Sequence, residues 1–245
     1  MEWHDDGMVL SARPHGEGAA IVEIFTAGHG RHAGLVHGGS SKRMAAHLQP
    51  GTQVSLHWRA RLEGQLGQFK IEPRQQHAHL LDDPSALAAL STICSMLQLS
   101  LPERAPHPAL WQVTLRTLQR ISSAQLGSNA WAPDYLRWEM GLLDDLGFGL
   151  DLSRCALTGS REDLAYVSPR SGRAVARDAA KEWEPRLLPL PPFLLGQGHP
   201  IGAELAQAFG LTSHFLARAL AELTEAPLPA ARARLIRLLT ATQQP

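Results

Sequence analysis

The segment from Val54 to Leu62 alternates apolar and polar residues with a period of two, and this alternation constrains the fold more than any other feature of the chain. Side chains of a β-strand point alternately to its two faces, so the pattern predicts a half-buried strand. The polar positions include His57, Arg59 and Arg61. We therefore expect these three basic side chains to lie together on the outer face of a sheet.

Four further strand-like segments, separated by glycine-containing turns, precede or follow this strand. They are residues 7–13, 19–25, 31–36 and 65–73. Five short strands at this spacing are typical of a small barrel, and the oligonucleotide-binding (OB) fold is the leading candidate. We predict an OB-fold nucleic-acid-binding domain over residues 1–78.

Helical patterns replace the strands after this barrel. They begin at Pro84, at Ala109 and at Pro133, and the third ends at Gly147; proline at the start and glycine past the end is the usual asymmetry of a helix. Short β-like pieces follow at 164–168 and 173–176, and further helices close the chain. The predicted fold class is α+β and multi-domain: a five-stranded OB-fold barrel, then a mainly α-helical domain over 79–245 with a small, irregular, zinc-less β-containing insertion at about 150–180.

Charge is strongly segregated in a chain whose formal net charge is zero. The 39 residues from Ile24 to Leu62 contain no Asp or Glu but five Lys and Arg residues and five histidines. A basic surface of this kind suits a polyanion, and nucleic acid is the first candidate, ahead of an ordinary solvated face. The predicted DNA-binding residues are Arg31, His37, Lys42, Arg43, His57, Arg59 and Arg61.

Aromatic residues add less to this prediction. Phe25 is a candidate for stacking on a base, but an aromatic residue on an alternating strand is more often part of the core, and Trp58 shares the apolar face of Val54. Phosphate contacts alone suffice for binding without sequence preference.

Several classes of protein are disfavoured. No apolar run reaches the ~18 residues of a membrane span. The acidic N-terminus lacks the pattern of a signal peptide, and two cysteines, Cys94 and Cys155, suit a reducing compartment, so we expect a cytoplasmic protein. The chain contains no nucleophile elbow, no phosphate-binding loop and no His-Glu-x-x-His motif. We predict no enzyme activity, no catalytic residue and no cofactor.

One turn resembles half of a zinc site. A zinc knuckle would have a second cysteine three residues after Cys155, and Thr158 occupies that position. A structural zinc ion needs four ligands, usually Cys or His, and no histidine lies between His107 and His199. We therefore predict that the chain binds no metal.

Residues 203–220 suggest two helices around Gly210, the spacing of a helix-turn-helix. The second helix would offer few polar side chains for base contacts, so we interpret the pair as core packing. A helix-turn-helix DNA-binding regulator stays open as an alternative, as does a protein adaptor that does not bind DNA.

The third helix contains a candidate site for a partner peptide. Arg137 lies among apolar and aromatic residues, and an arginine in such surroundings can receive a carboxylate while its neighbours hold an adjacent apolar side chain. The predicted peptide-binding residues are Arg137, Trp138, Met140 and Leu142. An ordinary core helix with a surface arginine is the alternative.

Four segments resemble the bacterial recombination mediator family RecO. They are residues 7–17, 25–31, 37–43 and 136–155, of which the last is the most specific. Within the third, His37 stands where the family usually has lysine. Many members of the family also carry a four-cysteine zinc site in the region where this chain keeps only Cys155.

The resemblance implies an N-terminal OB barrel, a helical domain and a non-enzymatic role in DNA repair. It implies binding of single- and double-stranded DNA, annealing of complementary strands, and help for the recombinase RecA in replacing the single-stranded-DNA-binding protein SSB. RecR and possibly RecF are the further partners implied, with the protein associated with the nucleoid and not with a membrane. By position, Arg137 matches the place where a relative receives the acidic C-terminal tail of SSB.

Overall fold

The structure is a computed structural model that describes residues 1–62 and 64–241. By internal contacts the chain divides into two compact units, Met1–Leu118 and Gln119–Pro245. The boundary after residue 78 that we predicted from the sequence stays a prediction about independently folding domains. Within the described ranges, no helix is long and apolar enough to cross a membrane.

Five strands of the first unit form a closed barrel, as predicted. They are β1 (Glu2–His15), β2 (Ala19–Thr26), β3 (Gly30–Val36), β4 (Gln53–Arg59) and β5 (Gln68–Gln75). The strand order is β1-β2-β3-β5-β4, and the first half of β1 closes the barrel by pairing antiparallel with β4. β1 begins five residues earlier than predicted, because that half of the strand has a partner far away in sequence.

The inward side chains of the strands fill the barrel. Val22, Ile24, Val54 and Leu56 are among its buried residues, which follow the period of two that the sequence shows. Gly34 is required at its position, because a Cβ there would lie 2.5 Å from the ring of Phe69.

Three helices begin within the first unit: α1 (Lys42–His47), α2 (Pro84–Ser100) and α3 (Pro108–Ser123). α2 begins at the predicted residue and α3 begins one residue before the predicted start, Ala109. The helix α1, which is six residues long, was not predicted from the sequence. A short 3₁₀-helix, Ala78–Asp82, precedes α2.

Helices dominate the second unit, which also contains the small sheet that the sequence predicted. The helices are α4 (Ala132–Asp145), α5 (Arg177–Ala180), α6 (Glu204–Leu223) and α7 (Ala230–Ala241). The sheet has the order β7-β6-β8, from β6 (Leu164–Val167), β7 (Ala174–Ala176) and β8 (Leu188–Pro189). Two 3₁₀-helices, Lys181–Arg186 and Pro192–Leu195, flank β8. The fold class is therefore the predicted one.

The interpretation of residues 203–220 as two helices is wrong, because α6 is one continuous helix through Gly210. A glycine is tolerated there at a cost of about 1 kcal/mol relative to alanine, and no turn interrupts the helix. A helix-turn-helix needs two helices joined at a steep angle. This segment therefore cannot act as one.

A buried ion pair joins three helices of the second unit. Arg232 of α7 donates from Nε and Nη2 to the carboxylate of Glu139 on α4, at 2.7 and 2.9 Å. Thr212 and Ser213 of α6 accept further hydrogen bonds from the same guanidinium, and Tyr135 donates to Glu139 at 2.7 Å. Both charged side chains are almost fully buried, so each depends on the other for its charge balance.

Candidate nucleic-acid interface

The loop after β3 carries three of the predicted DNA-binding residues on its surface. Ser41 starts α1 by accepting a hydrogen bond from the backbone N–H of Met44 at 3.3 Å. His37 precedes this cap, and Lys42 and Arg43 form the first turn of the helix; all three are exposed. The local sequence thus presents two adjacent formal charges on a short, capped helix.

The end of β4 presents a second pair of cations. Arg59 is the last residue of the strand and Arg61 lies in the loop after it, and both are exposed. The expectation that His57, Arg59 and Arg61 share one strand face is wrong for Arg61, because the strand ends two residues before it. The alternation does place His57 and Arg59 on the same outer face.

Barrel closure brings the end of β3 beside the start of β5, which pairs with Arg59 at the end of β4. Leu35, near the end of β3, pairs in parallel with Gln68 at the start of β5, and its N–H donates to the carbonyl of Gly67 at 3.0 Å. The loop after β3 therefore starts beside the loop that joins β4 to β5. Among the described residues, no carboxylate forms an ion pair with Lys42, Arg43, Arg59 or Arg61.

His57 is less available than these four. Its ring stacks on that of His4 with centroids 4.1 Å apart, and its Nε2 lies 3.6 Å from a carboxylate oxygen of Glu2. Lys70 stands opposite His57 on β5 and is exposed. Lys70 is therefore more accessible to a negatively charged partner than His57 is.

Arg31 has partners within the protein. Its Nη1 donates to Glu23 at 3.0 Å and its Nε donates to the carbonyl of Leu101 at 2.9 Å, and 17% of its side chain is exposed. These bonds tie β3 to β2 and to the end of α2. Arg31 therefore has a structural role that occupies two of its five N–H donors, and its charge is paired with Glu23, so we leave it out of the interface.

The aromatic residues proposed for base stacking belong to the core. Phe25 is fully buried and packs edge-on against Trp111, with ring centroids 5.5 Å apart. Trp58 is 3% exposed and donates from its indole N–H to the carbonyl of Leu66. Trp58 cannot stack on a base without opening the barrel, and Phe25 cannot do so without displacing α3.

A histidine inside the barrel is surrounded by aromatic rings. His32 lies 4.8 Å from Trp58 and 5.1 Å from Trp3, centroid to centroid, and is 4% exposed. Neither of its ring nitrogens has a hydrogen-bond partner among the described residues. Burial, reinforced by the positive charge of Arg104 and by His29, lowers the pKa of His32 to about 4. His32 is thus neutral at physiological pH and adds no charge to the basic surface.

Two exposed basic residues at the end of β1, Arg13 and His15, were not predicted from the sequence as part of the interface. The turn that follows them contacts the loop before α1, because Ser40 donates to the carbonyl of Ala19 at 2.6 Å. Both residues lie outside the acid-free window, and only the pairing of strands brings them near Lys42. The basic turn Arg13-Pro-His15 was the available signal.

Arg137 of α4 is the charged member of the four predicted peptide-binding residues, and its side chain is accessible to solvent. Its side chain is 41% exposed, and it donates from Nη2 to the carbonyl of Phe193 at 2.9 Å and from Nη1 to Asp134 at 3.1 Å. Arg120 shares the Asp134 carboxylate at 3.3 Å. Met140 is half-buried. An incoming carboxylate would therefore compete with Asp134 for the guanidinium.

Two other predicted peptide contacts, Trp138 and Leu142, are fully buried. They point into the second unit and stabilise it, since a helix packed on two sides buries more than one stripe of residues. We therefore leave them out of the peptide site.

The knuckle-like turn around Cys155 surrounds its sulfur with hydrogen-bond donors. Burial opposes ionisation of the thiol, but hydrogen bonds from the Ala176 backbone and from Thr158 outweigh it and lower the pKa of Cys155 to about 7. Within the described residues, no group of three or more His, Cys, Asp or Glu side chains could hold a metal ion. That the protein binds no zinc stays a prediction.

Comparison with known proteins agrees with this architecture. The family model described as "Recombination protein O N terminal" matches residues 1–76, and "Recombination protein O C terminal" matches residues 81–227. A DNA repair protein RecO of Cereibacter sphaeroides is 54% identical over 240 residues, covering 98% of each chain. Those of Rhodospirillum centenum and Paracoccus denitrificans are 51% and 50% identical, covering 96% and 99% of this chain and 94% and 98% of their own.

The chain is thus an OB-fold protein of the DNA-repair class, with a helical second part. It belongs to the RecO family of DNA repair proteins.

Proposed function

We propose that this protein is a non-enzymatic recombination mediator that binds single- and double-stranded DNA, anneals complementary strands and helps RecA to load on SSB-coated DNA. One observation carries the proposal: Lys42, Arg43, Arg59 and Arg61 lie on the surface of an OB barrel, are exposed, and lack carboxylate partners among the described residues. Membership of the RecO family agrees with a role in DNA repair.

These four cations recognise phosphates and carry no information about base sequence. The aromatic side chains of the barrel are buried or half-buried, so base stacking contributes little to affinity. Binding is therefore governed by counterion release and is indifferent to sequence. Four phosphate contacts give a slope of log affinity against log salt of about −3 on single strands.

Annealing follows from the same charge. Two complementary strands repel each other through their phosphates, and a basic surface that contacts both strands lowers this repulsion while it leaves the base edges free to pair. The reaction needs no covalent step and no catalytic residue.

A strand-annealing assay tests the proposal. Two complementary oligonucleotides carrying a fluorophore and a quencher are mixed, bare or coated with SSB, and the rate of quenching is measured. We expect the protein to accelerate annealing and the variant Lys42→Gln/Arg43→Gln to lose most of this acceleration. Arg234→Gln/Arg237→Gln removes the same charge from exposed positions of α7 and serves as the matched control.

The outcome of the assay separates the mediator from an adaptor. If the protein binds a partner such as SSB but accelerates annealing of neither bare nor SSB-coated strands, the chain is an adaptor and the basic surface is an ordinary solvated face. Equal losses in the two double variants would show that net charge, and not the loop after β3, drives annealing.

The acidic tail of SSB binds at Arg137 in this proposal, with Met140 beside it. The exposed guanidinium and its anchoring to the Phe193 carbonyl support this site, because one donor group is held in place while the other can exchange Asp134 for a peptide carboxylate. RecR and, functionally, RecA and RecF are the further partners that family membership suggests. The protein would then act on DNA in the nucleoid.

A further inference from the structure

A groove lies between the β1–β2 hairpin and α1. Its volume is about 310 Å³, and its walls include Ala12, Arg13, Pro14, Ala45, Leu48 and Pro50. At about 30 Å³ per water this is room for about ten waters, the scale of one nucleotide and far too small for a duplex. The groove lies wholly within the first unit.

The walls of the groove are held together by close backbone contacts. Ser40 donates its hydroxyl to the carbonyl of Ala19, which fixes the loop before α1 against the hairpin. Gly39 permits this approach, since a Cβ there would lie 2.7 Å from the Cβ of Ala20. Leu48 and Ala20 are almost fully buried and form a fixed floor. The cavity is therefore built into the packing of the barrel.

The lining combines aliphatic surface with positive charge. Ala12, Pro14 and Ala45 contribute apolar walls, whereas Arg13 lines one side. Lys42 precedes Ala45 by three residues and so lies on the same face of α1. Neither cation has a carboxylate partner among the described residues, and Glu17 of the hairpin turn is exposed.

An apolar slot flanked by two unpaired cations is complementary to a flat base attached to phosphates. We propose that this groove binds one unstacked nucleotide of a single DNA strand, with the base against Ala12, Pro14 and Ala45 and the adjoining phosphates on Arg13 and Lys42. The inference rests on the proposed DNA binding and deepens it, because it assigns a contact that a paired duplex cannot make. It gives the protein a preference for single strands in addition to its charge-driven affinity.

Filling the groove without changing charge tests this site. Ala45→Leu places extra methyl groups in the groove, and Ala46→Leu on the exposed side of the same helix is the matched control. Fluorescence anisotropy measures binding of three labelled ligands of equal length: a thymidine oligonucleotide, the same strand with abasic sites in place of bases, and a duplex.

We expect the Ala45→Leu variant to bind the thymidine strand about fivefold more weakly, which corresponds to losing the burial of about 40 Å² of apolar surface, with its salt slope unchanged. Its affinity for the abasic strand and for the duplex should equal that of the unmodified protein, as should all three affinities of Ala46→Leu.

Other outcomes have distinct meanings. If Ala45→Leu binds the thymidine strand as well as the unmodified protein does, the groove holds no base, although DNA binding stands. A fivefold loss that extends to the abasic strand and the duplex would place the backbone, and not a base, in the groove. If the unmodified protein binds none of the three ligands at low salt, the proposed function fails together with this inference.

Discussion

The histidine inside the barrel makes the stability of this protein sensitive to mild acid. In the folded state the pKa of His32 falls from its ordinary 6.5 to about 4, because the ring is buried among Trp3, Trp58 and Phe69 without a partner for either nitrogen. In the unfolded chain the His32 ring is protonated below about pH 6.5, whereas in the folded protein it is protonated only below about pH 4. Folding is therefore progressively disfavoured as the pH falls between these two values, and His32 contributes nothing to this change above 6.5.

The size of the effect follows from the shift. Each pKa unit corresponds to about 1.4 kcal/mol, so His32 alone costs about 3 kcal/mol of folding free energy by pH 4. This is a large fraction of the 5–15 kcal/mol that is typical of folded proteins. The ring is 4% exposed, so solvent does little to screen the penalty.

Urea unfolding at a series of pH values from 7.5 to 4 measures the effect, with His32→Phe as the comparison. Phenylalanine keeps an aromatic ring in the same position but cannot be protonated. We expect the free energy of unfolding of the histidine protein to fall by about 3 kcal/mol more than that of the variant over this range. Parallel curves for the two proteins would show that His32 is protonated or solvated in the folded state, which would refute the reasoning.

Two predictions concern the second unit. Glu139→Ala leaves the guanidinium of Arg232 buried without a counter-charge, so we expect a loss of about 3–5 kcal/mol in urea unfolding, and a loss below about 1 kcal/mol would mean that the pair is solvated. Arg137→Ala should weaken binding of a peptide with the sequence of the acidic SSB tail by about tenfold in calorimetric titration, whereas Asp134→Asn should strengthen it by freeing the arginine. A change in the same direction for both variants would exclude a peptide carboxylate at this position.

The sequence predicted the barrel because its strands alternate with a period of two and its turns carry glycine. It also predicted where α2 to α4 begin, because prolines mark the helix starts. It missed α1, since six residues give no periodic pattern and the cap at Ser41 is a common residue type in loops. It misread α6 because Gly210 resembles a turn, although a glycine inside a packed helix is only mildly destabilising.

The site residues were harder to assign because partners distant in sequence decide their availability. Arg31 looked like a free cation until strand pairing and the packing of α2 placed Glu23 and the Leu101 carbonyl beside it. The exposure of Lys42 and Arg43 depends only on the local helix cap, so the sequence alone was enough to predict that their side chains are accessible. Trp138 and Leu142 lie on the same helix as Arg137, and the packing of that helix alone shows that their side chains are inaccessible.

The most direct test of DNA binding by the barrel is an anisotropy titration of a single-stranded oligonucleotide of arbitrary sequence at several salt concentrations. We predict binding that is indifferent to sequence, with a slope of log affinity against log salt of about −3. In Lys42→Gln/Arg43→Gln the slope should fall to about −1.5, whereas Arg234→Gln/Arg237→Gln should keep the original slope. An unchanged slope in the first variant, or no binding at low salt, would contradict the assignment of the DNA interface to the loops of the barrel.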